Sequence, residues 1–191
     1  MRKVIIDNGH GIETPGKRSP DGRLREWAWT RRLAARLAEL LGGHGIEAVI
    51  LVPEERDVPL RERCHRANAC DADVLLSLHV NAAGDGSRWH GASGFSAFVA
   101  PKASDDARRL AALLTAEAAK AGLAGNRYTP PEGYLSACFA ICTGTRCPAV
   151  LTENLFQDNR GDVDFLLSPS GIETVARVHL DAILKFFNIR P

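Results

Sequence analysis

The sequence predicts an α/β fold: a single domain over 1–191, with a mostly parallel, six-stranded twisted sheet flanked by helices on both faces. Three observations lead there. Short apolar runs alternate with longer segments of helical periodicity, the pattern of strand-helix-strand units. Several of those runs are continuously apolar, as strands covered on both faces are. A chain of 191 residues, 45% hydrophobic and 25% charged, fits one core of ordinary size, with no repeat or low-complexity stretch to mark a boundary.

The strands read as Val4–Ile6, Glu47–Val52, Val74–Leu78, Gly94–Ala100, Ala137–Ile141 and Ala149–Thr152. The first helix runs from about Glu26 to Leu41, because Trp29, Leu33, Leu37 and Leu40 share one face and Gly42-Gly43 supplies a stop. A short helix over Leu60–Ala69 starts after Pro59, and one over Asp105–Ala121 is capped by Ser104 or Asp105. The last helix is the clearest, since Ile172, Val175, Ala176, His179, Leu180, Ile183, Leu184 and Phe187 keep helical spacing. His179 on that apolar stripe reads as a core histidine. The loops Gly11–Arg25, Ala82–Ser93 and Gly122–Leu135 are rich in Gly, Pro or polar residues and suit the rim of a binding groove.

Charge and composition exclude several classes of function. A net charge of +1, with scattered basic residues, gives no field for gripping nucleic acid or an anionic membrane. No apolar stretch approaches a membrane span. Met1-Arg2-Lys3 leads directly into an apolar strand without a signal-peptide core, so the expectation is synthesis in the cytoplasm and, if the protein leaves, an unencoded export route. Five cysteines without regular spacing argue against a disulfide framework and for buried reduced thiols.

Chemistry concentrates in four residues: His10 after Val4-Ile5-Ile6, Glu26 on the first turn of a helix, His79 after Val74–Leu78, and Glu153 after Ala149–Thr152. In an open α/β sheet the carboxyl ends of the strands gather functional groups, so residues remote in sequence meet at one edge. A catalytic zinc ion takes three His or carboxylate ligands and keeps one position for water, whose pKa falls to about 7. His10, Glu26 and His79 supply such a set, and Glu153 then serves as general base. Each has a plainer reading: Glu26 as a helix-start acid favoured by the macrodipole, Glu153 as a salt-bridge partner of an arginine. Gly9 and Gly11 around His10 favour the functional reading, since the backbone turns sharply there.

The run Ile6-Asp7-Asn8-Gly9-His10-Gly11, then Gly22 and Glu26, Arg63 with Ala67-Asn68, Ser77-Leu78-His79-Val80-Asn81-Ala82, and Pro148–Asn154 with Asn159, resembles the zinc-dependent N-acetylmuramoyl-L-alanine amidases of the Amidase_3 family. The resemblance covers nearly the whole chain. It implies a peptidoglycan or muropeptide substrate in the cell wall, cleaved between the lactyl group of N-acetylmuramic acid and L-alanine of the stem peptide. It also implies one Zn2+ ion held by His10, Glu26 and His79, with Glu153 as the catalytic carboxylate. Asn8 stands where proline is usual, Val80 where alanine is usual, and Asn154-Leu155-Phe156 where Gly-Phe is commoner. The expectation is a catalytic domain without an attached wall-binding module, with affinity for the wall coming from the groove itself or from a regulatory or targeting protein of unknown identity.

Other readings stay open at this point. His10-Gly11-Ile12-Glu13 is also the His-x-x-Glu arrangement of zinc carboxypeptidases, which makes Glu13 an alternative ligand to Glu26. A zinc peptidase or deacylase on a similar scaffold, or a zinc-containing wall-binding module without turnover, fits the same residues. Asp7 either accepts a hydrogen bond from a liganding imidazole or caps the turn after the first strand. Trp89 and His90 are candidate groove residues, with Tyr128 and Tyr134 as weaker ones.

Overall fold

A computed structural model describes residues 1–190; Pro191, the last position of the expected domain span, lies outside the described residues. The first strand, β1 (Lys3–Asn8), is fully sequestered from Val4 to Ile6. It pairs in parallel with β2 (Glu47–Ile50) on one side and β3 (Val74–Asn81) on the other. Next to β3 lies β6 (Ala149–Phe156), again parallel, followed by β4 (Ser96–Val99) and β5 (Leu135–Ser136), so the order is β2-β1-β3-β6-β4-β5. Only β4 runs against its neighbour β6. The chain reaches β4 from β3 through a loop without a crossover helix, and a parallel return needs such a crossover.

Alternate side chains of these strands enter two separate cores, so helices cover both faces as expected. On one face Val4, Ile6, Leu76, Leu78 and Val150 pack under α1 (Glu26–Gly43), α3 (Asp105–Lys120) and α6 (Pro169–Phe187). On the other, Ile5, Leu75, Ala149 and Leu151 meet only the short α2 (Leu60–Ala69) and the single turn α4 (Ala140–Thr143). The second layer is thin. It leaves the carboxyl end of that face open.

Two sequence expectations need correction, and one helix was not expected. The strand expected over Ala137–Ile141 is not there: β5 is the two-residue piece Leu135–Ser136, and Ala140 opens α4. A continuously apolar run is compatible with a strand covered on both faces and with a helical turn alike, and here it settles as a turn against α2, where Cys64 Sγ meets Ala140 O at 3.4 Å. The first helix runs on through Gly43, and its left-handed stop is Gly45 (φ +70°), with Ile46 N donating to Leu41 O at 3.0 Å. A further helix, α5 (Arg160–Leu167), follows β6 and starts where Asn159 Oδ1 accepts from Asp162 N. Ser104 and Ser168 cap α3 and α6 in the same manner.

All five cysteines are free. Burial pushes the Cys142 thiol up to about 12 and Cys147 up to about 11, so these two are inert as expected, whereas Cys138 is exposed. Among the described residues no helix is long and apolar enough to cross a membrane.

His179 lies wholly inside, with Nδ1 donating to Val175 O at 2.8 Å and Nε2 accepting from Thr152 Oγ1 at 3.0 Å. Burial lowers its pKa from 6.5 to about 4. Unfolded chains therefore bind the extra proton first, and this histidine's contribution, present above pH 6.5, is lost as pH falls toward 4. That amounts to about 3 kcal/mol. Urea midpoints of the wild type and His179→Gln should converge over that interval on acidification; curves that stay parallel refute the assignment.

Candidate metal centre and its cavity

The sequence brings its chemistry together through strand register. Asp7 of β1 stands opposite Ser77 of β3, and His79 of β3 opposite Glu153 of β6, all at the carboxyl end of the sheet. His10 follows β1 after Gly9, whose amide donates to Leu78 O at 3.0 Å. A Cβ at Gly9 would collide with the His79 imidazole, and one at Gly11 with the backbone of Asp57, so close approach demands glycine at both. Glu26 is the first residue of α1 and reaches down between the two histidines. His79 Nδ1 lies 3.1 Å from Glu26 Oε1, His10 Nε2 lies 3.4 Å from the same oxygen, and Val80 N donates to it at 2.9 Å.

One donor atom from each of His10, Glu26 and His79 lies within 4.8 Å of the others. Ligands about 2.0–2.1 Å from a tetrahedral zinc stand roughly 3.4 Å apart, so the two Glu26 distances match such an ion. The two rings meet edge to face, 5.0 Å between centroids at 88°. Glu26 is 1% exposed, yet its Oε2 has no hydrogen-bond partner among the described residues. A deeply buried carboxylate oxygen without a donor is costly unless a cation serves it. The residues present fit a zinc ion.

Electrostatics separate the two glutamates. Burial opposes the charge of Glu26, but the hydrogen bonds and charges of His79 and His10 outweigh it and hold the carboxyl well below its ordinary range. For Glu153 burial wins, reinforced by the Glu26 charge against the pull of His79, and the carboxyl is raised. Its Oε2 is also buried without a partner. The surroundings thus favour the anion at Glu26 and the protonated form at Glu153.

These groups open onto a cavity of about 600 Å3 at the uncovered end of the thin layer. Its apolar wall includes Val58, Pro59, Leu60, Phe139 and Ile141, and Lys17 lines it together with Glu153. Periodicity gave no hint of this wall, because most of it comes from the turn before α2 and from the misread segment around α4. A second cavity, of about 530 Å3 between Ala100 and Ala149, holds no His, Asp or Glu.

Remaining candidates fall elsewhere. Glu13 is exposed and its Oε1 accepts from Asp57 N at 3.1 Å, outside the His–Glu–His group. Asp7 takes neither expected role: Oδ1 accepts from Arg63 Nη1 at 2.8 Å and Oδ2 from Ser77 Oγ at 2.6 Å. Arg63 then donates to the carbonyls of Asn8 (2.8 Å) and His10 (3.2 Å), and Arg31 Nη1 meets the His10 carbonyl at 3.2 Å. His10 is left-handed (φ +62°), and two arginines hold that carbonyl in place. Trp89 packs against the large core with Arg160 4.5 Å from its ring, Tyr134 also packs there, His90 sits over Gly84, and Tyr128 is 74% exposed; none lines the cavity. Of the departures from the family pattern, Asn8 Nδ2 donates to Val52 O at 3.0 Å and Asn154 Nδ2 to His79 O at 2.9 Å, so both tie neighbouring backbone together beside the site.

Comparison with known proteins agrees with this architecture. The Amidase_3 family model, described as N-acetylmuramoyl-L-alanine amidase, matches residues 4–185. The sporulation-specific N-acetylmuramoyl-L-alanine amidase of Bacillus subtilis (strain 168) is 29% identical over 192 residues, covering 100% of this chain and 70% of that protein. N-acetylmuramoyl-L-alanine amidase CwlM of Bacillus licheniformis is 31% identical over 191 residues, covering 99% and 70%. In fold, the N-acetylmuramoyl-L-alanine amidase of Clostridium difficile 630 superposes with a TM-score of 0.88 at 23% identity, over 100% of this chain and 98% of that one. The catalytic domain of CwlV from Bacillus (Paenibacillus) polymyxa var. colistinus gives 0.86 at 21% identity over 100% of both. The chain belongs to the Amidase_3 family, and it is an N-acetylmuramoyl-L-alanine amidase, a hydrolase of peptidoglycan.

Proposed function

We propose that this enzyme cleaves the amide between N-acetylmuramic acid and L-alanine with one zinc ion held by His10, Glu26 and His79, and with Glu153 as general base. The observation that carries the reading is the meeting of four remote side chains at one sheet edge, two of them carboxylates whose buried oxygens lack partners. Zinc bound there would supply Lewis acidity, polarising the scissile carbonyl and lowering the pKa of water to about 7.

The protein's own residues do the rest. Glu153 Oε2 takes a proton from the attacking water and delivers it to the nitrogen of the departing L-alanine, completing general base and then general acid duty. Its raised affinity for protons suits both transfers. Val80 N fixes the Glu26 carboxylate, and Gly9 leaves room for the His79 ring, so the liganding side chains are set before substrate arrives. The apolar wall of Val58, Pro59 and Phe139 excludes water along one side of the cavity. The site of action is the cell wall. The CwlD amidase of Clostridioides difficile has been solved in complex with the GerS lipoprotein, and a regulatory or targeting protein is proposed for this chain on that likeness.

Digestion of purified peptidoglycan should release stem peptides with free N-terminal alanine, read by mass spectrometry; cleavage at any other bond refutes the reaction. The ligand assignment has its own test. Glu26→Ala should purify without zinc and Glu13→Ala with one equivalent, and the reverse pattern overturns the assignment.

A further inference from the structure

Among the described residues Arg127 is a cation without an anion. It stands half-buried in the loop between α3 and β5, 5.9 Å from the ring centre of Phe98 and 5.8 Å from that of Phe156. Its Nε is buried and meets no hydrogen-bond partner. Arg36, Arg63 and Arg66 each close onto carboxylates; among the described residues Arg127 has no such pair. Two aromatic rings fix a guanidinium whose hydrogen-bonding capacity is left unspent.

Its ring neighbours lead toward the cavity. Phe98 lies opposite Leu151, and Ser96 opposite Glu153, on the paired strands β4 and β6, and Phe156 ends β6. Phe98 meets Phe139 edge to face at 5.3 Å, and Phe139 lines the cavity. In the same cavity stands Lys17, half-buried and likewise without an ion pair among the described residues. The charges of Lys17 and Arg127 are both felt at Glu153, which neither of them neutralises as a partner. Lys17 thus lines the cavity together with Glu153, while Arg127 stands behind the Phe139 side of it, against Phe98.

A cation held by rings rather than by a carboxylate is preorganised for a carboxylate brought from outside. On the amidase reading above, such groups occur on the stem peptide beyond L-alanine. We propose that Arg127, behind the Phe139 wall of the cavity that Lys17 lines, receives a stem-peptide carboxylate and makes the enzyme selective for the free acid over its amide at that position.

The test uses the zinc-loaded protein and two muramoyl peptides that differ only in whether the second peptide residue carries a free carboxylate or a carboxamide. Wild type should prefer the acid in kcat/KM by on the order of ten- to a hundredfold, chiefly through KM. That ratio should collapse toward one in Arg127→Gln, fall in Lys17→Met, and partly persist in Arg127→Lys. Equal use of both substrates by wild type, or a ratio that Arg127→Gln leaves intact, overturns the proposal. Should Arg127→Gln fail to fold by circular dichroism, the wild-type ratio and its change in Lys17→Met decide. Cleavage of neither substrate overturns the amidase reading and this one together, whereas equal cleavage of both overturns this one alone.

Discussion

Replacing Glu153 with alanine should leave zinc bound and remove nearly all turnover. General-base removal costs about 10²–10⁴-fold, and no neighbouring carboxylate is free to take over the role proposed for Glu153. Glu26 is engaged by both histidines and Val80 N, and Asp7 is closed by Arg63 and Ser77. Metal content should survive because Glu153 lies outside the group formed by His10, Glu26 and His79. The discriminating measurement is zinc stoichiometry beside kcat on the same preparation. Retained turnover would remove Glu153 from the mechanism, while loss of both metal and turnover would make it a ligand.

The second large effect is on stability. Arg63 and Asp7 form an ion pair at 2.8 Å with side chains only 3% and 2% exposed. Arg63→Met leaves the Asp7 carboxylate buried with Ser77 Oγ as its remaining partner, and breaking such a pair costs about 3–5 kcal/mol. The urea midpoint of the metal-free protein should fall accordingly. The same substitution withdraws donors from the carbonyls of Asn8, His10 and Val58, so the left-handed His10 is held less firmly and zinc affinity should drop alongside. A loss below about 1 kcal/mol would show the pair to be weakly coupled to folding.

Sequence pattern revealed the residues that sit where regular structure stops. His10, His79 and Glu153 each break an apolar run, and in a parallel sheet covered on both sides such breaks fall at one edge. The order of the outer strands was not legible. Whether β4 runs with or against β6 depends on the path of the loop after β3, which carries no periodic signal. Around Ile141 an apolar run was equally compatible with strand and helical turn, and only packing against α2 decides. Asp7 found its partner 56 residues away, a pairing that local spacing cannot express. Arg127 was invisible for a related reason, since its character rests on what does not contact it.

The unequal covering of the two sheet faces divides labour within the protein. Folding free energy resides mostly in the larger core beneath α1, α3 and α6, while the rim of the cavity beside Glu153 is furnished by α2, α4 and the turn before α2. Substitutions along that rim can retune which wall fragments are accepted without loosening the framework, so divergence among related enzymes should accumulate on this side first.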